Sequence, residues 1–277
     1  MRSCAGFVAS VGLVTFLCGA APVSAQTAPS LGSAQSFAVL GGSTVTNTGS
    51  STITGDLGVS PGSAVTGFPP GLVVSGTIHA ADATALAAQN SVTTAYNSLT
   101  SQACTQDLTG QDLGGKTLTA GVYCFSSSAQ LTGTLTLNAQ GNAAAVFIFK
   151  IGSTLTTASA SSVVVTNGGA PCNVFWQVGS SATLGTTSSF GGNILALTSI
   201  TLTTGASVTG RTLARNGAVT LDTNAVAATT CGATPPPPPA PAPAPTPVPT
   251  LSEWAFIMLA VLLGAVGVVA LRRRTSA

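Results

Sequence analysis

The chain has 277 residues, of which only 5% are charged and 5% are aromatic, and its formal net charge is +2 at pH 7. A typical globular domain is about one quarter charged, so this composition argues against an ordinary soluble enzyme. Gly, Ala, Ser, Thr and Val predominate, which favours stacked β-strands with small side chains over a bundle of helices.

The N-terminus has the pattern of an export signal. Arg2 precedes an apolar run at residues 7–17, and small residues follow up to Ala25. This pattern predicts a Sec-type signal peptide at residues 1–25 that is removed on export. Lipidation at Cys18 is disfavoured because Leu17 occupies a position where a lipoprotein signal needs a small residue.

An Ala-rich stretch without turn residues predicts one long α-helix at about residues 80–99. Its apolar stripe consists of Ala81, Ala85, Ala88, Val92, Tyr96 and Leu99. His79 and Asp82 stand near the start of this helix, and no nucleophile or second acid accompanies them. They therefore predict a helix cap rather than a catalytic pair.

Four cysteines remain after the signal peptide: Cys104, Cys124, Cys172 and Cys231. An even number in an exported protein favours disulfides, and a single His with no CxxC motif gives no indication of a metal site. Of the three possible pairings, we favour Cys104 with Cys124 and Cys172 with Cys231. No cofactor is predicted.

A repeat occupies the second half of the predicted domain. The segments TTASASSV from Thr156, TLGTTSSF from Thr183 and TLTTGASV from Thr201 align with each other, and a weaker copy begins at Thr220. Short repeats of strand-forming residues separated by Gly and Ser turns predict a β-solenoid.

Alternation along each repeat separates inward from outward positions. The columns predicted to point inward are Leu155, Ala182, Ile200 and Val219, and Thr157, Leu184, Leu202 and Leu221. The candidate surface residues are Thr156, Ser159, Ser162, Thr183, Thr186, Ser189, Thr201, Thr203, Thr204, Ser207, Thr220 and Thr223. Stacked parallel strands would repeat each row of hydroxyls every ~4.8 Å, close to an oxygen repeat of ice. Thr ladders also occur on solenoids that bind nothing, but a nearly uncharged ladder favours contact with ordered water.

The C-terminal part changes composition twice. Residues 235–249 read PPPPPAPAPAPTPVP, which predicts an extended linker and sets the folded domain at residues 26–234. The tail at 250–277 contains an apolar segment, 255–271, that is predicted to enter the membrane, and the three arginines after it should stay cytoplasmic. The domain between signal and linker has five acids and four bases, so it offers no basic patch for nucleic acid.

The tail resembles the IPTL-CTERM class of bacterial sorting signals. The matching motif is Val248, Pro249, Thr250, Leu251, Ser252, Glu253 and Trp254, followed by the apolar segment and the basic cluster. The resemblance implies recognition by an exosortase-type protease and a place at the envelope or outside of a bacterium, of Gram-negative type. A plain membrane anchor remains the alternative.

Several stretches, in order between residues 31 and 226, resemble the DUF3494 family of ice-binding proteins. They include STVTNTGSSTITGDLGVSPGSAVTGFPPG at 43–71, GTIHAADA at 76–83, VFIF at 146–149 and CNVFWQVG at 172–179. The resemblance implies a mainly β fold: a discontinuous right-handed β-solenoid of triangular section with one long α-helix packed alongside. It also implies an ice-adsorbing face whose turns carry the pattern Thr-Ala/Gly-x-Thr/Asn.

The turns at 159–162, 186–189 and 204–207 match this pattern with departures. The departures keep hydroxyl groups but lose methyl groups, so moderate rather than extreme activity is expected. The expected function is that of a monomeric, non-enzymatic protein that adsorbs to ice and inhibits its growth and recrystallisation. The alternative is an adhesin or structural protein of the cell envelope with the same fold and no ice activity.

Overall fold

The computed structural model describes residues 26–231 and 251–274. The predicted signal peptide and the predicted linker therefore lie outside the described residues. The chain divides into two units, residues 1–233 and 234–277.

The first unit begins with a 3-10 helix, Gly32–Ser36, and seven short strands. These strands are β1 (Phe37–Gly41), β2 (Thr44–Thr48), β3 (Thr52–Thr54), β4 (Asp56–Val59), β5 (Ala64–Thr66), β6 (Leu72–Val74) and β7 (Ile78–Ala80). The helix α1 (Ala83–Thr100) follows them.

Fifteen further strands come after α1. They are β8 (Gln106–Asp107), β9 (Thr117–Leu118), β10 (Gly121–Phe125), β11 (Ala129–Leu131), β12 (Thr134–Asn138), β13 (Phe147–Ile151), β14 (Leu155–Thr157), β15 (Ser162–Thr166), β16 (Val174–Val178), β17 (Ala182–Leu184), β18 (Ser189–Ala196), β19 (Ile200–Leu202), β20 (Ser207–Ala214), β21 (Val219–Asp222) and β22 (Ala225–Ala227). A second 3-10 helix, Pro171–Asn173, precedes β16.

The strands stack in parallel coils with three strand positions per coil, which confirms the predicted β-solenoid. The strands at each of the three positions form one face of the solenoid. The face that we call the helix face consists of β8, β10, β13, β16, the second halves of β18 and β20, β1, β4 and β7. The Thr face is a seven-stranded sheet in the order β11, β14, β17, β19, β21, β2, β5. The third face consists of β9, β12, β15, the first halves of β18 and β20, β22, β3 and β6.

The solenoid is discontinuous along the chain. The first strands of the chain do not lie beside β8–β10, which are the first strands after α1. Instead β1 pairs with β20, β2 with β21 and β3 with β22. The coils nearest the C-terminal end of the domain therefore stack directly on the coils nearest its N-terminal end.

The helix α1 covers the helix face. Val92, Tyr96 and Leu99 of the helix form one buried cluster with residues such as Ile148 and Phe175 of the strands beneath. The central strands of this face are buried from both sides: β1 and β16, with the sequences FAVLG and VFWQV, are buried at all five positions. The interior of the solenoid forms a separate cluster, in which the ring of Trp176 stacks on that of Phe149 with centroids 3.9 Å apart.

The helix starts three residues later than the sequence predicts. Ile78–Ala80 forms strand β7 beside β4, and Ala81 lies outside the helix with a positive φ of 54°. Asp82 is the N-cap, and its carboxylate accepts a hydrogen bond from the backbone N–H of Ala85 at 2.8 Å. This hydrogen bond, together with one to His79 at 2.7 Å, lowers the pKa of Asp82 below its ordinary value. The pair caps the helix, as the sequence indicates.

Both disulfides favoured from the sequence are present. Cys104 is bonded to Cys124 and Cys172 to Cys231, with Cα–Cα distances of 5.8 and 5.5 Å. The second bond joins the last described residue of the domain to the segment just before β16.

The second unit contains the helix α2 (Leu251–Arg274). Its segment Trp254–Arg272 is long and apolar enough to cross a membrane and is the one helix in the described residues of which this is true. This segment extends slightly beyond the predicted 255–271. Pro249 and Thr250 of the sorting motif lie outside the described residues, and Leu251 begins the helix.

Candidate functional site

One column of Thr side chains runs across the Thr face. Six neighbouring strands contribute its members, which are Thr156, Thr183, Thr201, Thr220, Thr46 and Thr66 in spatial order. Each of them is exposed or half-exposed. Adjacent strands are separated by ~4.8 Å, so five steps carry the column across about 24 Å.

The inward columns predicted from the repeat are buried as expected. No member of the set is more than 3% exposed: Leu155, Ala182, Ile200, Val219, Thr157, Leu184, Leu202 and Leu221. The hydroxyl of Thr157 is satisfied inside, where it accepts a hydrogen bond from the backbone N–H of Gly185 at 2.9 Å. The predicted strand register is therefore correct for the four repeats.

Two members of the column, Thr46 and Thr66, are not among the residues predicted from the sequence. The predicted repeat covers only the segment after α1, whereas these two residues belong to coils from the other end of the chain. A signal was available in the alternating segment Thr44-Val45-Thr46, which recurs 20 residues later as Ala64-Val65-Thr66.

A second row of small polar residues lies two positions earlier along each strand. It includes Ser128, Thr154, Ser181, Ser199 and Thr44. Its hydroxyls contact neighbouring coils: Ser128 and Thr154 are joined by a hydrogen bond of 2.8 Å. Since residues i and i+2 of a strand are about 6.7 Å apart, the two rows form a two-dimensional array.

The turns that follow the Thr face carry further predicted residues. Ser159, Thr186 and Thr204 are all exposed at the corner between the Thr face and the third face. The next residue of each turn has a left-handed backbone: Ala160 and Thr187 have φ near 57° and 56°, and Gly205 has φ 71°. Gly adopts this conformation without strain, so Gly205 fits this position, whereas Ala160 and Thr187 carry a Cβ there.

The fourth turn is one residue shorter, and here the predicted alignment is wrong. Thr223, with φ 55°, takes the place of Gly205, so Asp222 rather than Thr223 is the equivalent of Thr204 at the corner. The carboxylate of Asp222 accepts hydrogen bonds from the hydroxyls of both Thr204 and Thr223. These two hydroxyls are therefore bonded to a carboxylate, although both residues are exposed.

Two other sets of predicted residues lie away from the Thr column. The hydroxyl of Thr203 donates a hydrogen bond to the backbone carbonyl of Leu184 at 2.7 Å, so it bonds to the neighbouring coil. Ser162, Ser189 and Ser207 form a column on the third face, in register with one another across β15, β18 and β20. The twelve predicted residues thus extend around one corner of the solenoid rather than along one face.

The Thr face carries almost no charge. Among the residues of its seven strands, all of which are described, Asp222 is the single charged one. In the described part of the chain no three His, Cys, Asp or Glu residues come together in a way that could hold a metal ion. The surface of the Thr face thus presents regularly spaced hydroxyl and methyl groups.

The fold and this surface together define a class: a discontinuous β-solenoid with one face covered by a helix and another bearing an uncharged Thr array. The ice-binding-like family model matches residues 39–227, and the IPTL-CTERM motif model matches residues 246–274. The chain belongs to the ice-binding-like family.

Individual relatives agree with this assignment. An ice-binding protein of Nostoc sp. (strain HG1) is 66% identical over 198 residues, which are 71% of this chain and 73% of the relative. The crystal structure of an ice-binding protein from an Antarctic biological consortium matches with TM-score 0.71 and 47% identity, over 74% of this chain and 92% of that one. The structure from the Antarctic ascomycete Antarctomyces psychrotrophicus matches with TM-score 0.72 and 43% identity, over 74% of this chain and 100% of that one. That solved chain is matched over its whole length, and the first unit here is compact by itself.

Proposed function

We propose that the solenoid domain adsorbs to ice through the Thr column and the adjoining corner, and that it inhibits ice growth and recrystallisation. The observation that carries this proposal is the column of six Thr residues, held in register on consecutive parallel strands. Its ~4.8 Å spacing is close to an oxygen repeat of ice, so water ordered by the column can merge with the crystal.

The chemistry of Thr supports this role. The β-branched side chain has restricted rotation about χ1, so little entropy is lost when ice immobilises it. The hydroxyls anchor water while the methyl groups, at the same spacing, exclude mobile water. Because charged groups hold water in arrangements that differ from ice, a face with a single carboxylate is suited to the task.

Thermal hysteresis and inhibition of recrystallisation by residues 26–234 test the proposal. Thr183→Tyr and Thr201→Tyr place a bulky ring in the centre of the column and should abolish both activities. Thr94→Tyr is the matched control because Thr94 is exposed on α1, over the helix face. All three variants should keep their melting temperature, since exposed positions contribute little to stability. An inactive wild-type domain, or full activity in Thr201→Tyr, would contradict the proposal.

We further propose that the domain is a non-enzymatic monomer displayed at the envelope of a Gram-negative bacterium. The tail supports this location, since its sorting motif is followed by an apolar helix and arginines. In this proposal the residues Pro249, Thr250, Leu251, Glu253 and Trp254 present the tail to an exosortase-type protease. Mass spectrometry of the mature protein from cells tests it: loss of α2 supports cleavage, and its retention supports a plain membrane anchor.

A further inference from the structure

Arg211 is a buried cation that forms no ion pair with any described residue. Its side chain is 1% exposed, and burial lowers the pKa of Arg211 to about 10. Among the described residues the single ion pair joins His79 to Asp82, so no carboxylate contacts the guanidinium. A buried charge of this kind is costly unless a charge of opposite sign or a full set of hydrogen bonds compensates it.

The hydrogen bonds of Arg211 are directed to neutral acceptors. Nε and Nη2 donate to the carbonyl of Gln35 at 3.1 and 2.6 Å, and Nη1 donates to Asn193 Oδ1 at 2.9 Å and to the carbonyl of Thr229 at 2.8 Å. A guanidinium has five N–H groups, so these four bonds leave one N–H of Nη2 without a hydrogen-bond acceptor among the described residues. The positive charge itself is not neutralised.

A cavity of about 150 Å³ adjoins this guanidinium. It lies between the N-terminal segment and the end of the domain, and its lining includes Leu31, Gln35, Asn173, Arg211, Thr229 and Cys231. The hydroxyl of Thr229 is buried and has no hydrogen-bond partner among the described residues. Two donors, the remaining N–H of Arg211 and the O–H of Thr229, thus belong to residues that line the same small cavity.

We propose that this cavity binds a small monovalent anion, of halide or simple carboxylate type. The volume is about that of five water molecules, which accommodates such an ion with residual water. One uncompensated positive charge and two donors match a single negative charge. The site joins residues at both ends of the domain, Gln35 and Thr229, so an anion bound there stabilises the contact between the first and last coils.

The test is the melting temperature of the domain as a function of anion. Sodium gluconate, whose anion is much larger than chloride or acetate, is replaced by sodium chloride at constant ionic strength. The melting temperature should rise with chloride and saturate, as expected for a ligand that binds only the folded state. A parallel series with sodium acetate distinguishes the two classes of anion. A larger rise in melting temperature with acetate assigns the site to carboxylates, and a larger rise with chloride assigns it to halides.

Two variants make the test specific. Thr229→Val removes one donor with little change in shape and should weaken anion binding about tenfold, since a hydrogen bond to a charged group is typically worth about that factor. Arg211→Met should abolish the response, and crystals grown in bromide should show anomalous scattering beside Arg211 Nη2. Equal melting temperatures in gluconate, chloride and acetate would overturn the proposal. So would a rise of the same size in Thr229→Val or, where chloride gives the larger rise, a bromide-free cavity.

Discussion

The hydroxyls of Thr46 and Thr220 lie 3.4 Å apart although 174 residues separate them in the chain. They are paired neighbours on β2 and β21, at the junction where the first coils stack on the last. The Thr column therefore continues without a break from β21 to β2, although these two strands are far apart in the chain.

This continuity predicts that the N-terminal coils belong to the ice-binding surface. Thr46→Tyr should abolish thermal hysteresis as completely as Thr201→Tyr, because a ring at either position lifts the column off a flat crystal. The melting temperature of both variants should match that of wild type, with Thr94→Tyr as the control. Undiminished hysteresis in Thr46→Tyr would confine the active surface to the strands after α1.

Asp222 is predicted to limit activity rather than to support it. Asp222→Asn removes the charge but keeps groups that can bond to Thr204 and Thr223. Since a carboxylate must lose solvating water on contact with ice, the Asn variant should show severalfold stronger recrystallisation inhibition.

The matched control for that comparison is Asp107→Asn, which neutralises an exposed acid on the helix face. It should leave ice activity unchanged. A loss of activity in Asp222→Asn would show that the carboxylate itself takes part in ordering water.

The two disulfides should contribute unequally to stability. The Cys172–Cys231 bond closes a loop with a sequence separation of 59 residues, whereas Cys104–Cys124 spans 20. The loop-entropy relation gives about 4 kcal/mol for the longer loop and about 3 kcal/mol for the shorter one. The test is to replace each cysteine pair by Ala and to measure the free energy of unfolding in guanidinium chloride. A larger loss of this free energy in the Cys104/Cys124 variant would contradict the predicted order.

Acid should weaken the start of α1. The pKa of Asp82 is lowered from 3.8 in the folded protein, so the folded state favours the ionised carboxylate. Its contribution to stability is fully present above pH 3.8 and is lost as the pH falls through the lower folded pKa.

Asp82→Asn keeps a capping oxygen but does not titrate at this position. The melting temperature of wild type should therefore fall more steeply than that of Asp82→Asn below pH 3.8. The lowered pKa values of Asp107 and Asp112 affect both proteins equally, so the difference between the two curves isolates Asp82. Parallel curves would show that the carboxylate charge adds nothing to the cap.

Repeats and alternation were sufficient to predict the strand register between Thr156 and Leu221, because a slip by one residue would turn apolar side chains outward. They were not sufficient at Thr223, where a deletion of one residue in the turn moves Asp222 to the corner. Alternation marks Thr46 as an outward residue of a strand, but nothing local to β2 indicates that this strand pairs with the distant β21. The predicted helix start was too early because the sequence of Ile78–Ala80 is compatible with either a helix or a strand. In the structure this segment is a strand because it pairs with β4.

The stacking of β1–β3 on β20–β22 also means that the spatial order of the strands is a rotation of their order in the sequence. Along the solenoid axis the strands run from β8 at one end, through β22 to β1, and end at β7. Ala28 and Cys231 line one cavity, so the ends of the domain already meet. A circular permutant opened between α1 and β8 and joined across those ends would thus have a chain that follows the axis of the solenoid from one end to the other.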